Sequence, residues 1–458
     1  MQTLRDSLPS DHDRAVFDDL AAARPTVWVP SRPSRPSRLN HPGHTTPTAP
    51  ADTDTLDTDT LDTLVDAADA RFRWFAPLIE ELFPDTRDLG GIIESPLTKV
   101  SALGDALSRE FDRPVPRSLW VKRDDALAVS GSVKSRGGIH EVFETALTVA
   151  AELGIDLSSG PTVFLGESVR EQMATRRIVV GSTGNLGMSI GLMGAVLGFS
   201  VVVHMSHDAK QWKKDRLRDS GVEVVEHDTD FTAAVHAGRV AAEQDPHAHF
   251  IDDENSRSLF AGYAVAGRRL AGQLAAASVP VDAGHPLTVY LPCGIGGAPG
   301  GITYGLSRIF GDHVRCVFVE PVAMPAFLLG RLTGLDDAVS VTDIGRGEPT
   351  VADGLAVGRP SGFVGTTVGS LVAGYATVTD DDLLRALAVA HDADGLALEP
   401  SACAGLLAAG CLEDTDAPGT HVAWLTGGSL MPDDEFADLL DAGRRLLHRP
   451  GQAGGSVG

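Results

Sequence analysis

The chain has 458 residues, 43% hydrophobic and 22% charged, which suits a globular protein with enough length for two domains. A formal net charge of −24 repels nucleic acid and anionic membrane, so neither is an expected partner. The four cysteines, Cys293, Cys316, Cys403 and Cys411, form no CxxC pair, and the N-terminus lacks a basic-then-apolar leader. A disulfide framework, a zinc site and a secretory signal are therefore not indicated, and a cytoplasmic protein is expected.

Residues 1–62 read as an extended, partly disordered arm. The stretch RPTVWVPSRPSRPSRLNHPGHTTPTAPADTDTLDTDTLDT is rich in Pro, Ser, Thr and Asp and can bury little apolar surface. Val27 and Trp28 are the exception and should pack on the body. From residue 63 the pattern is globular. ADARFRWFAPLIEELF sets Phe72, Phe75, Leu78, Ile79 and Leu82 at helical spacing and predicts an amphipathic helix. SLWVKRDD reads as a strand, and GSVKSRGGIHEVFETALTVAAELG as a glycine turn running into a helix. RRIVV, GSTGN, LGMSIGLMGAVLG and FSVVVHM then read as strand, turn, helix and strand. The apolar run from Leu186 to Met205 is broken by Gly187, Gly191, Gly194 and Gly198, so a buried helix and strand are expected rather than a membrane span. DAKQWKKDRLRDSG and VEVVEHD continue as helix and strand. LTVYLP, PCGIGGAPGG, ITYGLSRIFG and VRCVFVEP repeat strand, glycine loop, helix, strand, and HVAWLTGGS closes with a strand and a glycine turn. Residues 447–458 read as a flexible tail.

Strands alternating with helices, many as continuous apolar runs, predict doubly wound α/β domains with parallel sheets. Ligands in such folds bind at the carboxyl ends of strands, where the glycine turns fall. The loop Pro292–Gly301 can bring its backbone close to a ligand, and the next helix presents its positive end, which suits phosphate. It lacks the lysine–hydroxyl pair of a P-loop, so a nucleotide site is disfavoured; a plain strand-to-helix turn is the structural alternative. Lys134 follows a glycine turn and opens a helix, a setting that suits an amine nucleophile, whereas a lysine taken at random is a solvated surface group. Gly181–Gly187 offers hydroxyls and amides at a helix start, fit for a carboxylate or for simple capping by Ser182 or Thr183. Thr426, at a strand end, could contact a ring nitrogen or merely shape a turn.

The order SGSVKSRGG, GSTGNLG, PCGIGGAPGG, LTGGS resembles the tryptophan-synthase-β-like family of pyridoxal-5′-phosphate (PLP) enzymes, fold type II. GGIIESPL, HMSHDAKQWKK, FIDDENSRSLFAGY, ADGLAVGRPSGFVG and LEPSACAG narrow the resemblance to the D-serine dehydratase (D-serine ammonia-lyase) family, over roughly residues 65–445. The resemblance implies two doubly wound α/β domains with PLP in the cleft between them. The large domain would comprise 63–135 and 255–446, and the small domain 136–254. It implies that Lys134 is the Schiff-base lysine and that Gly294, Ile295, Gly296, Gly297 and Ala298 hold the phosphate through backbone amides. Asn185 would bond the ring 3′-oxygen, Thr426 would face the ring nitrogen, and Ser182, Thr183 and Gly184 would hold the substrate carboxylate. Asp253 would lie near the substrate side chain. Ala298 and Ser429 stand where the family often has glycine; neither change removes a catalytic group.

The reaction implied is elimination of water from D-serine to give pyruvate and ammonia, with D-threonine, giving 2-oxobutanoate, as a second substrate. Lys134, or a second group across the ring, would take the Cα proton, Thr183 would support from the far face, and Asp253 or the cofactor phosphate would protonate the leaving hydroxyl. A monovalent cation such as K⁺ is a further expectation. Glu320 and the EPSACAG segment resemble positions near that ion, and a strand-end hydrogen bond is the structural alternative for Glu320. The resemblance allows a monomer, with a homodimer as the alternative. The rivals are an L-serine or L-threonine dehydratase, a β-replacing lyase using the same four segments, and a relative without catalysis, against which intact Lys134, Asn185 and Thr426 argue.

Overall fold

The computed structural model describes residues 1–30, 58–182, 184–207, 209–228, 231–412 and 418–447. Eleven strands occur among them: β1 (Val27–Trp28), β2 (Leu97–Lys99), β3 (Leu119–Arg123), β4 (Arg177–Gly181), β5 (Ser200–Ser206), β6 (Glu223–His227), β7 (Ala248–Ile251), β8 (Leu287–Pro292), β9 (Val314–Pro321), β10 (Val372–Val378) and β11 (Thr420–Leu425). They form two sheets. One has the order β1-β10-β9-β8-β11-β3-β2 and is parallel except at its outer pairs, β1 with β10 and β2 with β3. The other, β6-β5-β4-β7, is wholly parallel.

The central strands β8 and β11 are buried along their full length. Alternation splits their side chains between two cores. Leu287, Val289, Leu291, Val422 and Trp424 face one core, and Tyr290, Ala423 and Leu425 the other. A strand covered by helices on both faces must be apolar on both, which is why these segments read as continuous apolar runs rather than alternating ones. The first core takes helices Thr58–Leu82, Lys134–Leu153 and Arg257–Ala276; the second takes Ser101–Glu110 and Asp380–Asp394. Helices Lys134–Leu153 and Arg257–Ala276 approach very closely. A Cβ on Gly262 would lie 2.5 Å from the Arg136 carbonyl oxygen, and one on Gly137 would lie 2.5 Å from the Tyr263 ring.

The expected amphipathic helix begins earlier than its apolar stripe, at Thr58, and buries Phe75, Leu78 and Ile79; Phe75 stacks on Phe143 with ring centroids 3.8 Å apart. The Leu186–Met205 run is a helix, Asn185–Val196, followed by β5. No helix among the described residues is long and apolar enough to cross a membrane.

The expectation of an extended arm over residues 1–62 is corrected for its first thirty residues. Helices Gln2–Asp6 and Asp11–Ala21 form there, and β1 adds an antiparallel edge to β10. Ser10 caps the second helix by accepting from the Asp13 amide at 3.0 Å. Val16, Phe17 and Leu20 then enter the core, and Trp28 donates its indole N–H to Asp13 at 2.8 Å. The Pro-, Ser- and Thr-rich composition starts only near Arg24, so it says nothing of the helical segment before it. Residues 58–62 belong to the long helix rather than to an arm. Residues 31–57, and the expected tail apart from Leu447 at the end of helix Asp433–Leu447, lie outside the described residues.

Candidate active site

The carboxyl ends of β8, β11 and β3 are neighbours in the larger sheet, and those of β4 and β7 are neighbours in the smaller one. Each delivers one of the segments singled out in the sequence. β3 leads to Lys134, β8 to the glycine loop, β11 to Thr426, β4 to Ser182–Asn185 and β7 to Asp253. These meet in a cleft lined by Lys134, Ser182, Gly184, Asn185, Asp253, Gly294, Ile295, Gly296, Gly297, Ala298 and Thr426. Thr183 and its placement lie outside the described residues.

Lys134 is the first residue of its helix. The turn before it is stitched to the end of β11: the Val133 amide donates to the Thr426 carbonyl at 2.9 Å, and Ser132 bridges Gly427. This fixes the lysine beside Thr426 although 292 positions separate them in sequence. Behind the lysine lies a buried ionic knot. The Arg136 guanidinium donates to both Asp124 oxygens, at 2.6 and 2.7 Å, and to both Glu94 oxygens, at 2.6 and 3.3 Å. Lys122 also donates to Glu94 at 2.6 Å, and the Trp424 indole to Asp124 at 2.8 Å. Burial alone would raise the Glu94 carboxyl, but the charges of Arg136 and Lys122 outweigh it and hold the group at about 2.

On the cleft side, Lys134 Nζ lies 3.4 Å from Asp253 Oδ2. The other carboxylate oxygen, Oδ1, is buried and accepts no hydrogen bond among the described residues. The Tyr263 hydroxyl is likewise buried without a partner, and burial, with the charge of Asp253, pushes its pKa far above the usual phenol. A buried acceptor left unmade is costly, so Asp253 Oδ1 marks a place for a donor supplied by a ligand.

In the glycine loop, Gly296 has φ 111°, a left-handed conformation closed to most side chains, and a Cβ there would strike the Phe327 ring. Gly297 differs: a Cβ there would make only ordinary contact, at 3.7 Å, with Asp253 and the Tyr263 ring, and Gly297 and Ala298, at the start of helix Gly297–Phe310, line the cleft. The Gly297 and Ala298 amides have no intrahelical partner, Pro299 has no N–H, and the Gly300 amide donates to the Gly296 carbonyl. Ala298 is the second residue of this helix and is absent from the positive-φ positions, so its substitution for glycine leaves the amide in place. Cys293 is fully buried, and burial drives its thiol well above the ordinary range, which removes it as a nucleophile. Ser429 packs its hydroxyl where a Cβ of Gly131 would be, at 2.7 Å, and does not line the cleft.

Ser182 Oγ accepts from the amides of Gly184 at 3.2 Å and Gly187 at 3.0 Å, so it caps the helix start, and no described residue accepts its own proton. Asn185 Nδ2 donates to Glu399 Oε2 at 2.9 Å. Glu320 does what its structural alternative required. Its two oxygens accept from the amides of Phe327 and Leu328, at 2.7 and 2.8 Å, at the start of helix Ala326–Thr333, and burial raises its carboxyl to about 8. Among the described residues, no group of three or more His, Cys, Asp and Glu could hold a metal ion.

Sequence reasoning missed a charged cluster on the cleft wall. Lys213 donates to Asp353 Oδ2 at 3.0 Å, and its amine lies 3.9 Å from Glu399 Oε1. Burial lowers the Lys213 pKa, but Asp353 and Glu399 more than offset it and the net direction is upward. Glu399 is raised, chiefly by burial. Asp353 and Glu399 line the cleft. The only sequence signal was indirect: Asp353 and Glu399 stand inside the otherwise apolar or glycine-rich runs ADGLAVG and EPSACAG.

The family model for "Pyridoxal-phosphate dependent enzyme" matches residues 89–427. A Chromobacterium violaceum protein named "Probable D-serine dehydratase" is 52% identical over 395 residues, covering 83% of this chain and 88% of the relative. A Bacillus cereus protein of the same name is 47% identical, covering 83% and 89%. Among solved structures, holo diaminopropionate ammonia lyase from Escherichia coli aligns with a TM-score of 0.64 at 16% identity over 84% of this chain and 93% of that one. The processed form of threonine deaminase isoform 2 from Solanum lycopersicum aligns with 0.60 at 20% identity over 85% and 90%. These two share the fold.

Proposed function

Because the chain belongs to the pyridoxal-phosphate-dependent enzyme family, we propose that it is a lyase that eliminates water from D-serine, giving pyruvate and ammonia. The observation that carries this reading is the facing pair Lys134 Nζ and Asp253 at 3.4 Å, whose second oxygen is buried without a donor. The relatives named above supply the choice of substrate and of its D configuration.

The residues present fit PLP on three grounds. A primary amine, Lys134, reaches the cleft. Gly297 and Ala298, in the first turn of helix Gly297–Phe310, line the cleft, and their amides with the helix dipole suit a phosphate. The Asn185 side chain and Thr426 line the same cleft, ready for the polar edges of a ring. When bound, the cofactor withdraws electrons from the substrate Cα.

The chain's own groups then divide the work. The Ser182 hydroxyl and the start of helix Asn185–Val196 orient the substrate carboxylate, with Thr183 in the same stretch. Lys134 Nζ takes the Cα proton. Lys134 passes that proton to Asp253 across the 3.4 Å between them, and Asp253 gives it to the β-oxygen as the Cβ–O bond breaks, so the proton lost from Cα is the one that leaves in water. Thr426, a neutral hydroxyl lining the cleft, would face the ring nitrogen without supplying a carboxylate's charge, so the bound cofactor would be a weaker electron sink, which favours elimination over racemisation.

The four-stranded sheet lies within residues 136–254, which supports a small domain of that range and a large one of 63–135 with 255–446. A cytoplasmic monomer completes the reading, with D-threonine as a second substrate. The test is pyruvate release from D-serine and from L-serine, with added PLP, with and without K⁺, for the wild type and Lys134→Ala. D-serine activity lost in the variant is expected; a preference for L-serine refutes the stereochemical assignment.

A further inference from the structure

Glu399 has no part in the reading above, yet it is the residue through which the two sheets' site segments are tied together. Its Oε2 accepts from Asn185 Nδ2 at 2.9 Å, across the cleft from the smaller sheet's side. Its backbone amide donates to the Gly427 carbonyl at 3.1 Å, next to Thr426. A Cβ added at Gly427 would lie 2.8 Å from Glu399 Oε2 and 3.1 Å from Asn185 Nδ2, so carboxylate, amide and the turn after β11 form one packed knot. Lys213 stands 3.9 Å from the other oxygen, Oε1, and is itself anchored by Asp353 at 3.0 Å.

An asparagine side chain can present either its oxygen or its N–H₂ to a ligand, and the two ends have nearly the same shape. A carboxylate can only accept. With one Nδ2 hydrogen committed to Glu399, the amide cannot flip, and the second hydrogen is the one left to point into the cleft. The buried ammonium of Lys213, held in place by Asp353, lies on the side of Oε1 and leaves Oε2 as the acceptor for the amide.

We infer that Glu399 is a positioning residue that fixes the Asn185 amide so that it offers an N–H, not an oxygen, to the anionic oxygen of the cofactor ring. The inference rests on the PLP reading of the cleft. It also predicts a sign. An N–H donated to the ring oxygen stabilises its negative charge and lowers its basicity, so loss of the donor raises the pH midpoint of the bound cofactor's visible absorption. Loss of Glu399's negative charge acting directly through space would lower that midpoint instead, because a nearby proton would be less favoured.

The experiment is a double-mutant cycle on PLP-loaded protein, using Glu399→Gln, Asn185→Ala and the double variant, read by pH titration of the visible band and by kcat. Cofactor binding by the wild type, seen as that band, tests the underlying reading separately: a wild type without a visible band refutes the PLP site itself. Given a band, E399Q is expected to raise the midpoint by about one unit and lower kcat about tenfold, the worth of one hydrogen bond to a charged group. In the Asn185→Ala background the same change is expected to do nothing further. A midpoint that falls or stays in place, or effects that add independently of Asn185, overturns the inference. Glu399→Asp keeps the charge and withdraws the carboxylate by one methylene; it carries the same cycle should E399Q not fold, with a smaller upward shift expected.

Discussion

Replacing Arg136 by Met tests whether the buried knot behind Lys134 holds the lysine's helix in place. Arg136 is 4% exposed, Asp124 not at all, and Glu94 9%, so the substitution leaves two carboxylates inside the protein with their main counter-charge gone. Glu94 gives the scale. Its carboxyl is brought from an ordinary 4.5 to about 2, burial raising it but Arg136 and Lys122 outweighing that. A displacement of that size corresponds to about 3 kcal/mol at neutral pH. Breaking a buried pair by removing one partner costs about 3–5 kcal/mol in general, which agrees. For a chain of this length an unfolding entropy near 2 cal/mol/K per residue makes that a fall in Tm of about 3–5 °C.

The sign with pH follows from the direction of the shift. A carboxylate whose pKa is depressed by folding contributes stability above its unfolded value, and that contribution is lost as pH falls from 4.5 through about 2. The gap between wild type and Arg136→Met, measured by urea unfolding, is therefore expected to be full at pH 7 and to narrow steadily below pH 4.5. A gap under about 1 kcal/mol at pH 7, or one independent of pH, would refute the assignment of the knot as a charge-paired support. Because Arg136 lies two residues after Lys134, kcat at pH 7 is expected to fall as well.

Two further outcomes concern the reaction. Asp253→Asn is expected to lower kcat for D-serine by about 10²–10⁴-fold, the usual worth of a general acid. It should barely affect β-chloro-D-alanine, whose leaving group needs no proton; equal losses on both substrates would assign Asp253 to positioning instead. Thr426→Asp places a carboxylate where the neutral hydroxyl lines the cleft, and is expected to raise racemisation relative to elimination. Chiral analysis of unreacted D-serine checks it, and unchanged partitioning sinks the argument.

Much of the site is local in sequence, and that part was legible. A glycine turn before Lys134, the glycine loop before helix Gly297–Phe310 and the polar turn before Asn185 each carry their own signature, because the same few residues that turn the chain also present its amides. Continuous apolar strands announced parallel sheets covered on both faces. Composition misled at residues 1–30, where a short helix with a Ser10 cap and three core residues precedes the Pro-rich stretch. What the sequence by itself determined, then, is the inventory of turns, helices and strands and the chemistry each turn could offer. Only the tertiary structure decided which groups face one another: Asp253 across from Lys134, Glu399 on Asn185, Lys213 between Asp353 and Glu399, Arg136 under the lysine, and Glu320 committed to helix amides. The pairings of Asp253 with Lys134, Glu399 with Asn185 and Lys213 with Asp353 join positions more than a hundred residues apart. They depend on the order in which the strands lie in each sheet, which no local pattern of residues records.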